Sequence, residues 1–269
     1  DRWLDAADPL VAWMFSRCVL GLSGVILLAA ILLVLVRFDE FVDRLPDRTA
    51  FFTPQTALWL AAALAFSKVL HELAHAFACK HFGGECHELG VMLLVFAPCL
   101  YCNVTDAWLL PNKWHRMIIG AAGIYVEVMI AAACTFLWWW AEPNTFLSNL
   151  CLTIMVLCSV STVIFNGNPL MRFDGYYILS DLLEVPNLQQ KARSYLGRLA
   201  FRGMYGADAT LQVHGPPPPV RKRKTFLIYA VASFAYILVL MYGILFTLDN
   251  KLDEIGLREQ LMSGGTRRH

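Results

Sequence analysis

Charge is what this sequence has least of. Only 16% of its 269 residues are Asp, Glu, Lys or Arg, against 58% hydrophobic ones, and the mean hydropathy is +0.53. So few charges cannot clothe an ordinary soluble domain, and the chain reads as a membrane protein. Neither sign is in excess, since 22 basic residues meet 21 acidic ones for a formal net charge of +1. That balance leaves no basic face or stripe, so nucleic acid is excluded as a partner. Cysteine is too sparse for a disulfide scaffold: there are eight, several of them inside apolar runs where a thiol behaves as a small hydrophobe. No internal repeat is evident. The chain also lacks an initiating Met; it opens at Asp1, and its first apolar run is too long for a signal-peptide core. The numbering is therefore expected to begin inside a longer polypeptide.

What is abundant is long apolar sequence. Crossing roughly 30 Å of hydrocarbon takes about 20 apolar residues in a helix. Five stretches qualify: Cys18 to Val36, Thr56 to Cys79, Met117 to Trp140, Phe146 to Phe165 and Phe226 to Leu248. The second is interrupted by Lys68, His71, Glu72 and His75, and a turn at Glu142-Pro143-Asn144 makes a helical hairpin of the third and fourth. With five alternating spans, Arg2, Arg17, Lys80, Lys113, Arg116, Arg172, Lys191, Arg193, Arg198, Arg202 and residues 221–224 fall on the side of the N-terminus. Arg37, Arg44, Arg48, Lys251, Arg258, Arg267 and Arg268 fall on the other. The richer side belongs in the cytoplasm by the positive-inside rule.

Between the second and third spans, residues 83–108 are punctuated by Glu85, His87, Glu88, Pro98, Asn103 and Asp106, so a small β-hairpin or a re-entrant segment is expected there. Its middle, Val91 to Phe96, suits a buried strand. A short amphipathic helical region is expected from Asp174 to about Arg202. Gly215 with Pro216 to Pro219 reads as a stiff spacer. The expected fold is an all-α polytopic membrane protein with about five transmembrane helices. Its expected parts are an N-terminal segment with the first span (1–55), a core (56–206), a Pro-rich basic linker (207–225), and the last span with a tail (226–269).

Chemistry concentrates at His71-Glu72-Leu73-Ala74-His75. On a helix this spacing sets two imidazoles one turn apart on one face with a carboxylate beside them, the arrangement that holds a zinc ion and points a base at the attacking water. Ionisable side chains are expensive in an apolar segment, and three within five residues argue for function over packing. A catalytic zinc takes a third protein ligand. His81, Glu127 and Asp174 are the candidates. His81 follows His71 by ten residues, but on a continuous helix it lies about 15 Å along the axis, too far to share a metal. Asp174 is favoured by topology, because the second and fourth spans run the same way and bring His71, His75 and the Asn166–Gly175 stretch to one membrane face. In that stretch Gly167 and Pro169 break the helix and expose polar backbone, tolerable at membrane depth only inside protein or facing water.

The two motifs together resemble those of the site-2 proteases, intramembrane zinc metalloproteases with His-Glu-x-x-His on one transmembrane helix and Asn-x-x-Pro-x-x-x-x-Asp-Gly on a later one. Every defined position matches: His71, Glu72 and His75, then Asn166, Pro169, Asp174 and Gly175. The likeness covers about residues 56–185. It implies one catalytic Zn2+ held by His71, His75 and Asp174, with Glu72 as general base and Asn166 holding substrate or oxyanion. The run from Asn168 to Tyr177 also looks like the branch described as peptide zinc metalloproteases, found in some cases beside or fused to membrane-fusion secretion proteins. The implied partners are a membrane-associated polypeptide substrate, the lipid bilayer and a secretion adaptor of that kind. The implied location is a bacterial inner membrane, with N-terminus and site toward the cytoplasm. One departure stands out: many members have Gly-Pro-x-x-Asn in the intervening helix, where this chain has Gly123-Ile124-Tyr125-Val126-Glu127.

Other readings attach to other residues. Intact zinc ligands in a membrane scaffold also suit a zinc-containing subunit of a peptide export system with little or no proteolysis. A proton relay through Glu127 and Lys68 would make a transporter instead. Cys86, His87, Cys99 and Cys102 are candidates for a second zinc site, and Cys99 with Cys102 for a redox pair. Trp108 and Trp138 to Trp140 read as interfacial belt residues.

Overall fold

The computed structural model describes residues 12–45, 54–94, 97–143, 145–214 and 218–254. Arg2, Arg48, Arg258, Arg267, Arg268, Asn144, the strand end at Val95-Phe96 and the start of the proline spacer (215–217) lie outside them. The chain divides into two compact units, Asp1–Pro186 and Asn187–His269.

In the first unit, α1 (Arg17–Val36) starts at Ser16, whose side chain accepts a hydrogen bond from the Val19 N–H at 3.3 Å. A short α2 (Phe38–Asp43) follows, then α3 (Pro54–His81), which carries both histidines of the metal motif. Strands β1 (Glu88–Leu94) and β2 (Ala97–Asn103) pair antiparallel, with Glu88 opposite Asn103 and Leu94 opposite Ala97. Of the two forms expected for residues 83–108, the chain adopts the hairpin, but its strand is Glu88–Leu94 and Val91, expected to be buried, is exposed. A 3-10 turn over Thr105–Leu109 leads into α4 (Lys113–Trp140), capped by Asn112, whose side chain accepts from the Trp114 N–H at 3.0 Å. Thr145 caps α5 (Phe146–Val160) in the same way. This helix runs on as a π-helical turn, Ser161–Asn166, before α6 (Asp174–Leu182).

Helix α4 is the hub: α1, α3, α5 and α6 all pack against it. Small residues allow the approach, and the buried set on this helix includes Ala122, Gly123, Ala131 and Ala132. Toward its C-terminal end Trp138 is fully buried among Cys134, Cys151, Leu152 and Met155. It is thus a core residue and not the belt residue expected; Phe41 meets its ring edge-on and the Arg44 guanidinium stands 5.4 Å above it. Trp108, Trp139 and Trp140 are exposed.

The second unit holds α7 (Leu188–His214), two helical segments meeting at Gly206 (φ 86°), and α8 (Val220–Glu254). The two helices pack together, with the Tyr195 and Phe226 rings 6.3 Å apart.

Four described helical stretches are long and apolar enough to cross a membrane: Arg17–Val36, Lys113–Trp140, Phe146–Asn166 and Val220–Asn250. The first and last are only 11% and 6% buried over their most apolar windows. So much exposed Leu, Ile, Val and Phe has no place in water, where contiguous apolar patches of this size are rare. The chain is an all-helical membrane protein with one small hairpin. Helix α3, the fifth expected span, is 28 residues long but is not among the four by composition.

Candidate metal centre

Helical spacing does for His71 and His75 what the sequence pattern predicts. Both are buried on one face of α3, and their Nε2 atoms lie 3.2 Å apart. Asp174 arrives from the start of α6 and closes the group, with Oδ2 3.1 Å from His71 Nε2 and Oδ1 3.5 Å from His75 Nε2. One donor atom from each of the three lies within 4.8 Å of the other two.

The protons can be placed by hydrogen-bond logic. His75 Nδ1 is 2.7 Å from the backbone carbonyl of Ile119, which can only accept, so Nδ1 carries the hydrogen and Nε2 presents its lone pair. On the far edge of His71, Nδ1 faces the Glu127 carboxylate at 3.4 Å. Two imidazole Nε2 atoms and a carboxylate converge on one point. Asp174 Oδ2 is buried without a hydrogen-bond partner, a costly state that a cation relieves.

Room for that cation is kept by Gly123. A Cβ there would stand 2.5 Å from His71 Nε2 and 2.6 Å from His75 Nε2, inside any tolerable contact. Two imidazole nitrogens and one carboxylate oxygen, with a cradle left open by a glycine, fit a zinc ion that keeps a fourth position free. The His75 imidazole is held from behind by the Ile119 carbonyl, the kind of support such ligands require.

Glycines and a π turn place Asp174. Gly167 N–H reaches back to the Thr162 carbonyl at 2.6 Å, closing the π turn. A Cβ on Gly175 would collide with the Gly167 carbonyl, which explains the glycine after the aspartate. The Asn168 side chain accepts from the Leu170 N–H at 2.9 Å and shapes the loop between. Helix α6 is then tied to α4 by Arg116, which donates to Asp181 at 2.7 Å and to the Leu110 carbonyl at 2.7 Å.

Glu72 is half-buried, within electrostatic range of His71, His75, Asp174 and Lys68, and also of Cys102 on β2. The hairpin therefore borders the site: Cys86 and Cys102 pack with Ala76 and Phe77, next to His75. Asn166 is buried, and its Nδ2 donates to Glu127 Oε2 at 2.7 Å.

Among the alternative ligands, His81 stacks on Phe15 with ring centroids 4.9 Å apart and takes no part in the cluster. Glu127 faces the wrong side of His71 for a ligand. Lys68 pairs with Glu127 and not with Glu72 one turn along its own helix. Among the hairpin cysteines, the Cys99 side chain lies outside the described residues; Cys86 Sγ lies 3.2 Å from Cys102 Sγ, and burial together with the Cys86 thiol pushes the Cys102 thiol well above its ordinary pKa. A second group, Glu85, His87 and Asp106, is mostly exposed at the base of the hairpin, with His87 Nε2 3.0 Å from Asp106. The features that motif reading passes over are the Ile119 carbonyl, the space at Gly123 and the task of Glu127. Only the last had a signal, an acid buried in the intervening helix.

No protein-family model and no solved structure matches the chain. Among curated proteins, 131 residues align at 25% identity with "Putative peptide zinc metalloprotease protein YydH" of Bacillus subtilis (strain 168). The alignment covers 48% of this chain and 50% of that protein, so the chain spans about half the length of the curated relative it matches.

Proposed function

We propose that this chain is an intramembrane zinc metalloprotease that hydrolyses peptide bonds of membrane-embedded or membrane-adjacent substrates. The observation that carries the reading is the convergence of His71, His75 and Asp174, whose Oδ2 is buried without a hydrogen bond, on a space that Gly123 keeps open. The distant likeness to a protein named as a metalloprotease supports a protease-like relationship and zinc as the metal.

His71, His75 and Asp174 would hold the ion. When bound, zinc supplies Lewis acidity toward a peptide carbonyl and lowers the pKa of water to about 7. Glu72 takes the proton of the attacking water and passes it to the leaving amine. Asn166 gives one N–H to Glu127 and keeps its second N–H and Oδ1 for the substrate backbone. A helical substrate unwinds before cleavage, and its extended segment adds to the edge of the hairpin that borders Glu72.

Helix α3 is the fifth span in this reading. Its 28 residues reach about 42 Å, and Ser67, Lys68, His71 and His75 turn toward partners on α4, on α5 and at Asp174. The distribution of Lys and Arg supports an orientation with N-terminus and site toward the cytoplasm, in this reading of a bacterial inner membrane.

The test is cleavage of a fluorogenic library of apolar peptides by the purified chain in lipid nanodiscs, compared with Glu72→Gln. The proposal expects turnover that the substitution abolishes while zinc stays bound. Zinc bound equally by both, with no turnover by either, would favour the scaffold of an export system.

A further inference from the structure

The mechanism above gives no task to the acid that the fold encloses most. Glu127 sits in the middle of α4 at 1% exposure, and a carboxylate so placed is costly unless fully partnered. It has partners from three directions. Oε1 accepts from Lys68 Nζ on α3; Oε2 accepts from Thr162 Oγ1 at 2.6 Å and Asn166 Nδ2 at 2.7 Å on the π turn. Lys68 also donates to Ser161 Oγ at 3.1 Å, so the same pair spans α3, α4 and the π turn.

Such bracing leaves one vector unexplained. His71 Nδ1 is buried, makes no hydrogen bond within ordinary limits, and has Oε1 of Glu127 3.4 Å away. Gly123 and Glu127 stand one turn apart on α4, so this helix meets His71 on both edges: Gly123 beside Nε2 and Glu127 beside Nδ1. His75 repeats the plan with the Ile119 carbonyl behind its Nδ1.

We propose that Glu127, with its charge matched by Lys68, is the positioning residue of His71: it takes the Nδ1–H and so aims the Nε2 lone pair at the metal. This rests on the reading of His71 as a zinc ligand. A carboxylate behind an imidazole strengthens it as a donor, and Lys68 supplies the opposite charge that keeps the added acid from being a bare buried anion. The departure at this position, Glu where the resembled family has Asn, thereby acquires a partner on the motif helix itself.

The experiment uses the full chain in nanodiscs with metal alone as probe: zinc affinity by chelator competition, and the visible spectrum of the cobalt(II) form. The key variant is Lys68→Met combined with Glu127→Leu, which removes both charges together and replaces them with apolar bulk, a change that leaves many buried pairs near neutral in stability. It is expected to fold and to lose about 10- to 100-fold in zinc affinity with a shifted cobalt spectrum. A purely bracing role predicts native affinity and an unchanged spectrum, and that result would overturn the proposal. Should the double variant fail to fold, Glu127→Gln decides on the same readouts: a loss of about threefold or more supports the proposal and unchanged binding overturns it. His71→Ala is the reference. If it keeps zinc, the metal-centre reading itself falls, an outcome distinct from failure of the Glu127 assignment.

Discussion

Two groups of potential ligands lie in the same half of this molecule. His71, His75 and Asp174 are sunk between helices, and Glu85, His87 and Asp106 sit at the hairpin base. Their donor atoms are alike: imidazole and carboxylate, gathered within the same 4.8 Å limit. Their surroundings are not. In the first, each histidine has an acceptor behind Nδ1, a glycine clears the space in front, and a carboxylate oxygen is left buried and unpartnered. In the second, His87 spends its Nε2 on Asp106, about half its side chain is exposed, and water can satisfy the rest. Ligand type alone does not make a metal centre; fixed tautomers and an unmet need for positive charge do.

Substitutions can break or sharpen that contrast. The largest expected effect is on Glu72→Gln, which should lower peptide turnover in nanodiscs by about 10²- to 10⁴-fold with zinc retained, while Glu85→Gln leaves it unchanged. Next is Arg116→Met, which strands Asp181 and frees the helix that presents Asp174. It should cost about 3 kcal/mol in unfolding assays and weaken zinc binding through a residue that never touches the metal. Gly123→Ala pushes a methyl against both imidazoles and should cost about 1–3 kcal/mol of zinc affinity, or about 5- to 160-fold, whereas Gly203→Ala, with open space around it, should cost none. Smallest is the exposed group: His87→Ala should leave zinc stoichiometry intact and change stability by under about 0.5 kcal/mol. Nearby, Cys102 should be alkylated at pH 8 at least about tenfold more slowly than a free thiol. Its raised pKa holds it as the thiol there, and labelling should speed up only as pH rises well beyond the usual cysteine range.

How much of this the sequence discloses depends on where the information lies. His71 and His75 are legible because helix periodicity alone puts residues four apart on one face. Asp174 is legible through topology, since α3 and α5 running the same way deliver the Asn166–Gly175 stretch to the end that carries His71 and His75. The hairpin is legible as a strand pattern, although its register awaits pairing of Glu88 with Asn103. Other parts have no side-chain signature. The Ile119 carbonyl is backbone, Gly123 contributes an absence, and the π turn at Ser161–Asn166 arises from packing. Trp138 looks like its neighbours Trp139 and Trp140, yet only its position on α4 turns it inward. Lys68 has Glu72 one turn away on its own helix, and nothing in the local pattern says that it pairs with Glu127 across the bundle.

The central claim is that three side chains from two distant motifs hold one metal ion. The direct measurement is zinc per mole of purified full chain, for the parent and for His71→Ala, His75→Ala and Asp174→Ala. The account predicts one zinc in the parent and loss of it in each variant. Unchanged zinc in Asp174→Ala would contradict it.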